Sequence, residues 1–166
     1  MGRIPSLPFY TKSASVCSMD DLATIDSDTT HITVNNNCGN NNALSVLSLN
    51  RFSHVTEVTI GDNCFMYVDQ LSLVGLSKLR KVVIGMNSFT KSKNGFGNDS
   101  NRHFYVKNCP QLRELRIGRY SFSDYTVIEI ENVDALEVVR VGDVGYESTS
   151  FYWASLELKS VFVHKE

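Results

Sequence analysis

The stretch VTIGDNCF, residues 58 to 65, recurs as VVIGMNSF at 82 to 89 and as LRIGRYSF at 115 to 122, and a fourth copy opens as VRVG at 139 to 142. An internal repeat outranks local propensity, because one such unit leaves an apolar face that only a neighbouring unit covers. The glycines of the four copies, Gly61, Gly85, Gly118 and Gly142, lie 24, 33 and 24 residues apart, so the middle interval is nine residues too long. Each glycine closes the same apolar ladder: Val55, Val58 and Ile60; Leu79, Val82 and Ile84; Leu112, Leu115 and Ile117; Leu136, Val139 and Val141. A second apolar set precedes each ladder, beginning Leu47 and Leu49, Leu71 and Leu73, Phe104 and Val106, and Ile128 and Ile130. Short period-two patterns of this kind predict strands, and the scarcity of alanine beside β-branched and aromatic residues agrees. The recurring glycine marks a tight bend or a place where a side chain would obstruct the chain. Four positions beyond it stand Phe65, Phe89, Phe122 and Tyr146, which this spacing predicts to stack as an aromatic spine.

The spacing LxxLxLxxN is complete at Val55, Val58, Ile60 and Asn63 and again at Leu79, Val82, Ile84 and Asn87, and it resembles the leucine-rich repeat family. The 24-residue unit with its IGxxSF segment, Ile84 to Phe89 and Ile117 to Phe122, is similar to the divergent leucine-rich repeats of bacterial and protist proteins. The resemblance runs from about Leu44 to Val163. It implies a mainly β solenoid of about four to five coils, with short strands on two faces and an irregular N-terminal cap. It further implies an asparagine ladder that bonds loop backbone from coil to coil. Tyr120 and Val144 stand where the third and fourth repeats should carry that asparagine. The family's strand face commonly binds protein, so the resemblance also implies an interaction module.

On this reading residues 1–46 form the N-terminal cap, 47–151 the four repeats with an insertion at 90–101, and 152–166 a partial fifth coil or C-terminal cap. Ser18 with Asp21 suits the N-terminus of a short helical turn containing Met19 and Leu22. Ile32 and Val34 suggest a strand, and the asparagine run from Asn35 to Asn42 a loop. The insertion, Thr90 to Arg102, is rich in glycine, asparagine and serine and reads as a surface loop. Its Phe96, between Gly95 and Gly97, is either tucked against the repeats or offered to a partner. Leu156, Leu158, Val161 and Val163 begin a fifth coil whose apolar edge is either capped by Tyr152, Trp153 and the tail or covered by another copy or partner.

Charge and composition narrow the function. The 166 residues carry 16 Lys and Arg against 18 Asp and Glu, a formal net charge of −2, with 42% hydrophobic and 20% charged residues. That is one domain's worth of ordinary globular chain, with no overall positive field to gather nucleic acid. No apolar run approaches the roughly 20 residues that span a bilayer, and the first ten residues do not read as a secretory signal, so the default compartment is the cytoplasm. Cys17, Cys38, Cys64 and Cys109 are expected as reduced, buried thiols. Asn98 begins a glycosylation sequon that matters only in a secreted chain.

Stacked repeats place equivalent residues side by side, which makes the outward charges readable. Lys81 falls between Glu57 and Glu114, Arg113 faces Glu137, and Lys107 lies beside Glu131, all pairs that favour the native register. Arg116 beside Arg140 breaks the pattern. With Arg113 and Arg119 they form a basic patch expected to take part in binding. His31, His54, His103 and His164 are scattered, and HExxH, GxSxG and phosphate-loop spacings are absent, so no enzyme, metal or cofactor is expected. The leading expectation is a protein-binding module that uses Lys81, Arg113, Arg116, Arg119 and Arg140 on the strand face, the Phe96 loop, or both. The alternatives are a self-assembling segment of a larger, adhesin-like surface protein, or an anionic-ligand or glycan site at Arg113, Arg116 and Arg140.

Overall fold

The alternating apolar patterns form eleven short strands, and a single short helix accompanies them in a computed structural model that describes residues 11–91 and 100–159. The chain runs β1 (Ser13–Val16), α1 (Met19–Thr24), β2 (His31–Val34), β3 (Val46–Ser48), β4 (Glu57–Ile60), β5 (Gln70–Val74) and β6 (Lys81–Ile84). It continues through β7 (His103–Lys107), β8 (Glu114–Ile117), β9 (Val127–Glu131), β10 (Val138–Val141) and β11 (Ser155–Lys159). From β2 onward the strands alternate between two sheets. The first has the order β1-β2-β4-β6-β8-β10 and the second β11-β9-β7-β5-β3. Every pairing is parallel and aligns equivalent repeat positions, so Val58, Val82, Leu115 and Val139 lie side by side, as do Ile60, Ile84, Ile117 and Val141. The N-terminal segment joins the first sheet through β1 and β2, with Ile32 beside Val58.

The first sheet's inward residues meet the second sheet's Leu47, Leu71, Leu73, Phe104, Val106, Ile128 and Ile130 in one continuous core. The recurring glycines let these repeats approach. A Cβ on Gly118 would lie 2.6 Å from the Gly85 carbonyl carbon, and one on Gly85 would lie 2.7 Å from that of Gly61. None of these three takes a positive φ, so their role is close stacking; of the four, only Gly142 is left-handed, at +72°. The sharp bend comes two residues later, where Asn63, Asn87 and Tyr120 sit at φ 55°, 55° and 60°. Asparagine tolerates that region by bonding locally. The Asn87 amide donates to the Asn63 side-chain oxygen at 3.1 Å, and a parallel ladder sets Asn132 on Asn108 at 2.8 Å. A serine ladder runs alongside. The hydroxyls of Ser88, Ser121 and Ser150 donate to the carbonyls of Gly61, Gly85 and Gly118 at 2.8, 2.6 and 3.1 Å, each one repeat back.

The aromatic spine forms, but its fourth member differs from the expectation. Phe65, Phe89 and Phe122 stack with centroids 5.3 and 4.8 Å apart, and the next ring is Phe151, 5.0 Å beyond Phe122. Tyr146 is 68% exposed, with the Arg119 guanidinium over its ring. The Ser-Phe pair that ends the second and third copies, at 88–89 and 121–122, returns at Ser150-Phe151, so the fourth repeat carries five extra residues. Phe151 has φ 55°, like Phe65, Phe89 and Phe122.

At the N-terminal end α1 starts with the expected capping box: the Ser18 hydroxyl accepts from the Asp21 amide, and the Asp21 carboxylate accepts from that of Ser18. Leu22 is buried beneath it, and the Arg51 side chain donates to the Leu22 carbonyl. The expectation of four reduced thiols is corrected here. The parallel pairing of β1 with β2 brings Cys17 and Cys38 to a Cα separation of 4.6 Å, and they form a disulfide, while Cys64 and Cys109 are free and buried.

Adding a methyl group at Gly118 therefore forces two backbones apart, and Gly118→Ala should lower the unfolding free energy by at least about 2 kcal/mol in urea titration. Gly75, with φ +72° and nothing near its missing side chain, should tolerate alanine at a cost nearer about 1 kcal/mol.

Candidate functional site

The outward side chains of β2, β4, β6, β8 and β10 make the first sheet's outer face. Its rows follow the register: His31, Glu57, Lys81, Glu114 and Val138 in one, and Thr33, Thr59, Val83, Arg116 and Arg140 in the next. Lys81 pairs with Glu57 at 3.3 Å. The sheet thus brings Arg116 and Arg140 side by side as the repeat spacing indicates, and it also supplies acids among the patch. Arg116 pairs with Glu114, Arg113 with Glu137 at 2.8 Å, and Arg119 with Asp143 at 3.4 Å. Arg140 is exposed and makes no ion pair among the described residues. Phe96 and Asn98 lie outside the described residues, as do Val161, Val163 and His164.

Along the N-terminal ends of these strands runs a groove of about 480 Å³, lined by Thr30, His31, Thr56, Glu57, Arg80, Lys81, Arg113 and Glu114 among others. The chain stacks here without a break: Arg80 donates its amide to the Thr56 carbonyl at 2.8 Å, and Arg113 donates to that of Arg80 at 2.9 Å. Arg80 and Arg113 therefore stand one rung apart, and both also line an adjoining hollow with Pro110, Gln111 and Ala135. Arg80 makes no ion pair among the described residues, while Arg113 shares an exposed carboxylate. The groove combines alternating charge with the aliphatic stems of arginine and lysine, surfaces on which an extended polar chain can lie.

A second charged cluster was not legible in the sequence. Arg102, expected in the surface loop, is fully buried. Its guanidinium donates to Asp124 at 2.7 Å and to the carbonyls of Val68 and Met66 at 2.8 and 3.1 Å, and it stacks 4.7 Å from the centre of the Tyr125 ring. Lys91, at the other end of the same segment, donates its amide to Asp124 at 3.1 Å and its ammonium to Asp69 at 2.9 Å. Both chain ends flanking 92–99 are thus tied to one acid-base cluster that runs from buried Arg102 and Asp124 out to Asp69 and Lys91 at the surface. Burial pushes the Tyr125 phenol well above its ordinary range, and it donates to the Val68 carbonyl at 2.6 Å. The signal in the sequence was an arginine immediately before a strand pattern, which fits a solvated loop end equally well.

The third feature is the far end of the stack. Leu115 and Ile130 are 1% and 4% exposed, whereas their neighbours one repeat on, Val139 and Leu158, are 52% and 65% exposed. Together with Val141, Leu156 and Phe151 they border an apolar cleft of about 470 Å³. Among the described residues no group of three or more His, Cys, Asp and Glu is placed to hold a metal, and no helix is long and apolar enough to cross a membrane. Burial raises the Cys64 and Cys109 thiols above their usual range, which disfavours the nucleophilic thiolate.

Truncating Arg102 leaves Asp124 buried without its cation, so Arg102→Ala should destabilise the fold by about 3–5 kcal/mol in chemical denaturation. Comparison with family models, with curated proteins and with solved structures found no match to the chain.

Proposed function

We propose that the chain is a solenoid of the leucine-rich-repeat kind acting as a non-enzymatic interaction module, and that it binds an extended segment of another protein along the groove of the first sheet. The observation that carries this reading is the groove itself, about 480 Å³ and spanning several repeats, in which register sets Arg80 and Arg113 one rung apart over Glu57, Lys81 and Glu114. Arg80 makes no ion pair among the described residues and stands beside a second arginine, so the segment that fits is acidic at that point. The LxxLxL spacing and the in-register stacking support the family reading, and the step from that architecture to binding is analogy. The basic patch at Arg113, Arg116, Arg119 and Arg140 is the less favoured version, because Glu114, Glu137 and Asp143 already neutralise most of it. The buried thiols and the separation of the histidines support a reading without catalysis or cofactor.

A second reading, self-association through the C-terminal edge, is carried by a different observation, the exposure of Val139, Val141, Leu156 and Leu158. The Cys17–Cys38 disulfide favours an oxidising compartment over the cytoplasmic default.

The groove reading is tested with fluorescent decapeptides of acidic, neutral and basic composition in anisotropy titrations. Acidic peptides should bind best, weaken as salt rises, and lose at least about tenfold in affinity on Arg80→Glu with Arg113→Glu. Equal or absent binding of all three classes overturns the reading. Alkylation of the unfolded, unreduced protein should label Cys64 and Cys109 and leave Cys17 and Cys38 unlabelled, as read by intact mass.

A further inference from the structure

Arg80 and Arg113 face more than the groove. The hollow that they share beside it measures about 550 Å³, and its other walls are Pro110, Gln111 and Ala135, so none of the five lining residues is acidic. The walls are anchored in the stack. Pro110 and Gln111 form a turn in which the Leu112 amide donates to the Cys109 carbonyl at 3.0 Å, and Cys109 and Leu112 are both fully buried. The hollow opens because the residue before each ladder leucine shrinks along the stack, from Lys78 through Gln111 to Ala135. Among the described residues Arg80 makes no ion pair, and Arg113 commits only its Nη1 to Glu137, in a pair whose side chains are both 63% exposed. Such a pair contributes little, and the remaining donors of the Arg113 fork stay available.

We propose that this hollow binds the sulfate ester of a sulfotyrosine carried by the segment in the groove. The inference rests on the groove reading and adds to it the group that is recognised. The backbones of Arg80 and Arg113 lie one rung apart, about 4.8 Å, so an anion between them meets two guanidinium forks at once. A carboxylate offers two oxygens in one plane, and a single fork fills it. A sulfate ester offers three terminal oxygens in a tetrahedral array, enough for both arginines. It also sits at the end of an aromatic ring, which reaches past the peptide backbone and lies against Pro110 and the guanidinium planes. Charge selects sulfate over phosphate. Around the groove the four cations Arg80, Lys81, Arg113 and Arg116 stand against the three acids Glu57, Glu114 and Glu137, which leaves one positive charge in excess. A sulfate ester carries a single negative charge, whereas a phosphate ester carries about −1.5 to −2. The Cys17–Cys38 disulfide agrees, since sulfated tyrosines belong to secreted chains and the disulfide favours the same oxidising compartment.

The test uses four decapeptides that differ at one central residue, tyrosine, glutamate, sulfotyrosine or phosphotyrosine, titrated by anisotropy against the full chain. The sulfotyrosine peptide should bind at least about tenfold more tightly than the tyrosine and glutamate peptides, and more tightly than the phosphotyrosine peptide. Arg80→Lys keeps the charge and removes the fork. It should cost the sulfotyrosine peptide at least about fivefold in affinity and the glutamate peptide less than about twofold. Ala135→Gln, which repeats the side chain of the preceding rung, narrows the hollow without changing its charge and should weaken the sulfotyrosine peptide alone. Arg80 is exposed and Ala135 partly so, and an unchanged melting transition checks that both variants fold. Equal binding of the sulfotyrosine and glutamate peptides, or an equal loss for both in Arg80→Lys, overturns the hollow and leaves the groove reading standing. Tighter binding of phosphotyrosine overturns the assignment to sulfate. No binding by any of the four overturns both readings.

Discussion

Everything in this structure depends on how closely one repeat can lie against the next. Gly61, Gly85 and Gly118 stack backbone on backbone, with no room for a Cβ between them. That contact fixes the register of both sheets, because the parallel ladders on either side of it must then align equivalent residues. A slip of one residue would turn Val58, Val82 and Leu115 outward, and the core would disappear. The serine hydroxyls that reach back to the glycine carbonyls satisfy buried acceptors along the same line, so the place of closest approach is also fully hydrogen-bonded.

Register then decides what the surface can do. Charges separated by 24 or 33 residues in the chain become neighbours, and most of them cancel: Glu57 with Lys81, Arg113 with Glu137, Arg119 with Asp143. Such exposed pairs contribute little stability individually, but they remove candidates from a binding patch. The positions that register leaves uncompensated among the described residues are the informative ones, Arg80 and Arg140. The same logic applies to the apolar columns. They are buried wherever a following repeat exists and exposed where the described strands stop.

The repeat, the strands, the short capped helix at Ser18 and most charge pairs were legible because each depends on spacing alone. The left-handed bends at Asn63 and Asn87 were foreshadowed by their residue type. Tyr120 was not, since an aromatic residue at φ 60° is held there by its neighbours rather than by its own preference. Counting four positions from Gly142 points to Tyr146, whereas the ring that joins the spine is Phe151. Counting from the Ser-Phe pair would have reached Phe151, because the serine's bond to the preceding repeat is what positions the ring.

The sequence by itself determined the architecture, for a periodic pattern states which face of each strand is buried and how far apart the strands recur. It could not determine pairings that depend on where the chain returns in space. Cys17 meets Cys38 only because β1 and β2 lie in parallel register, and no local spacing announces it. Arg102 enters the core only because Asp124, Tyr125 and three backbone carbonyls from other repeats converge on one point. A charge is buried when partners from distant segments surround it, and that convergence is a property of the tertiary structure alone.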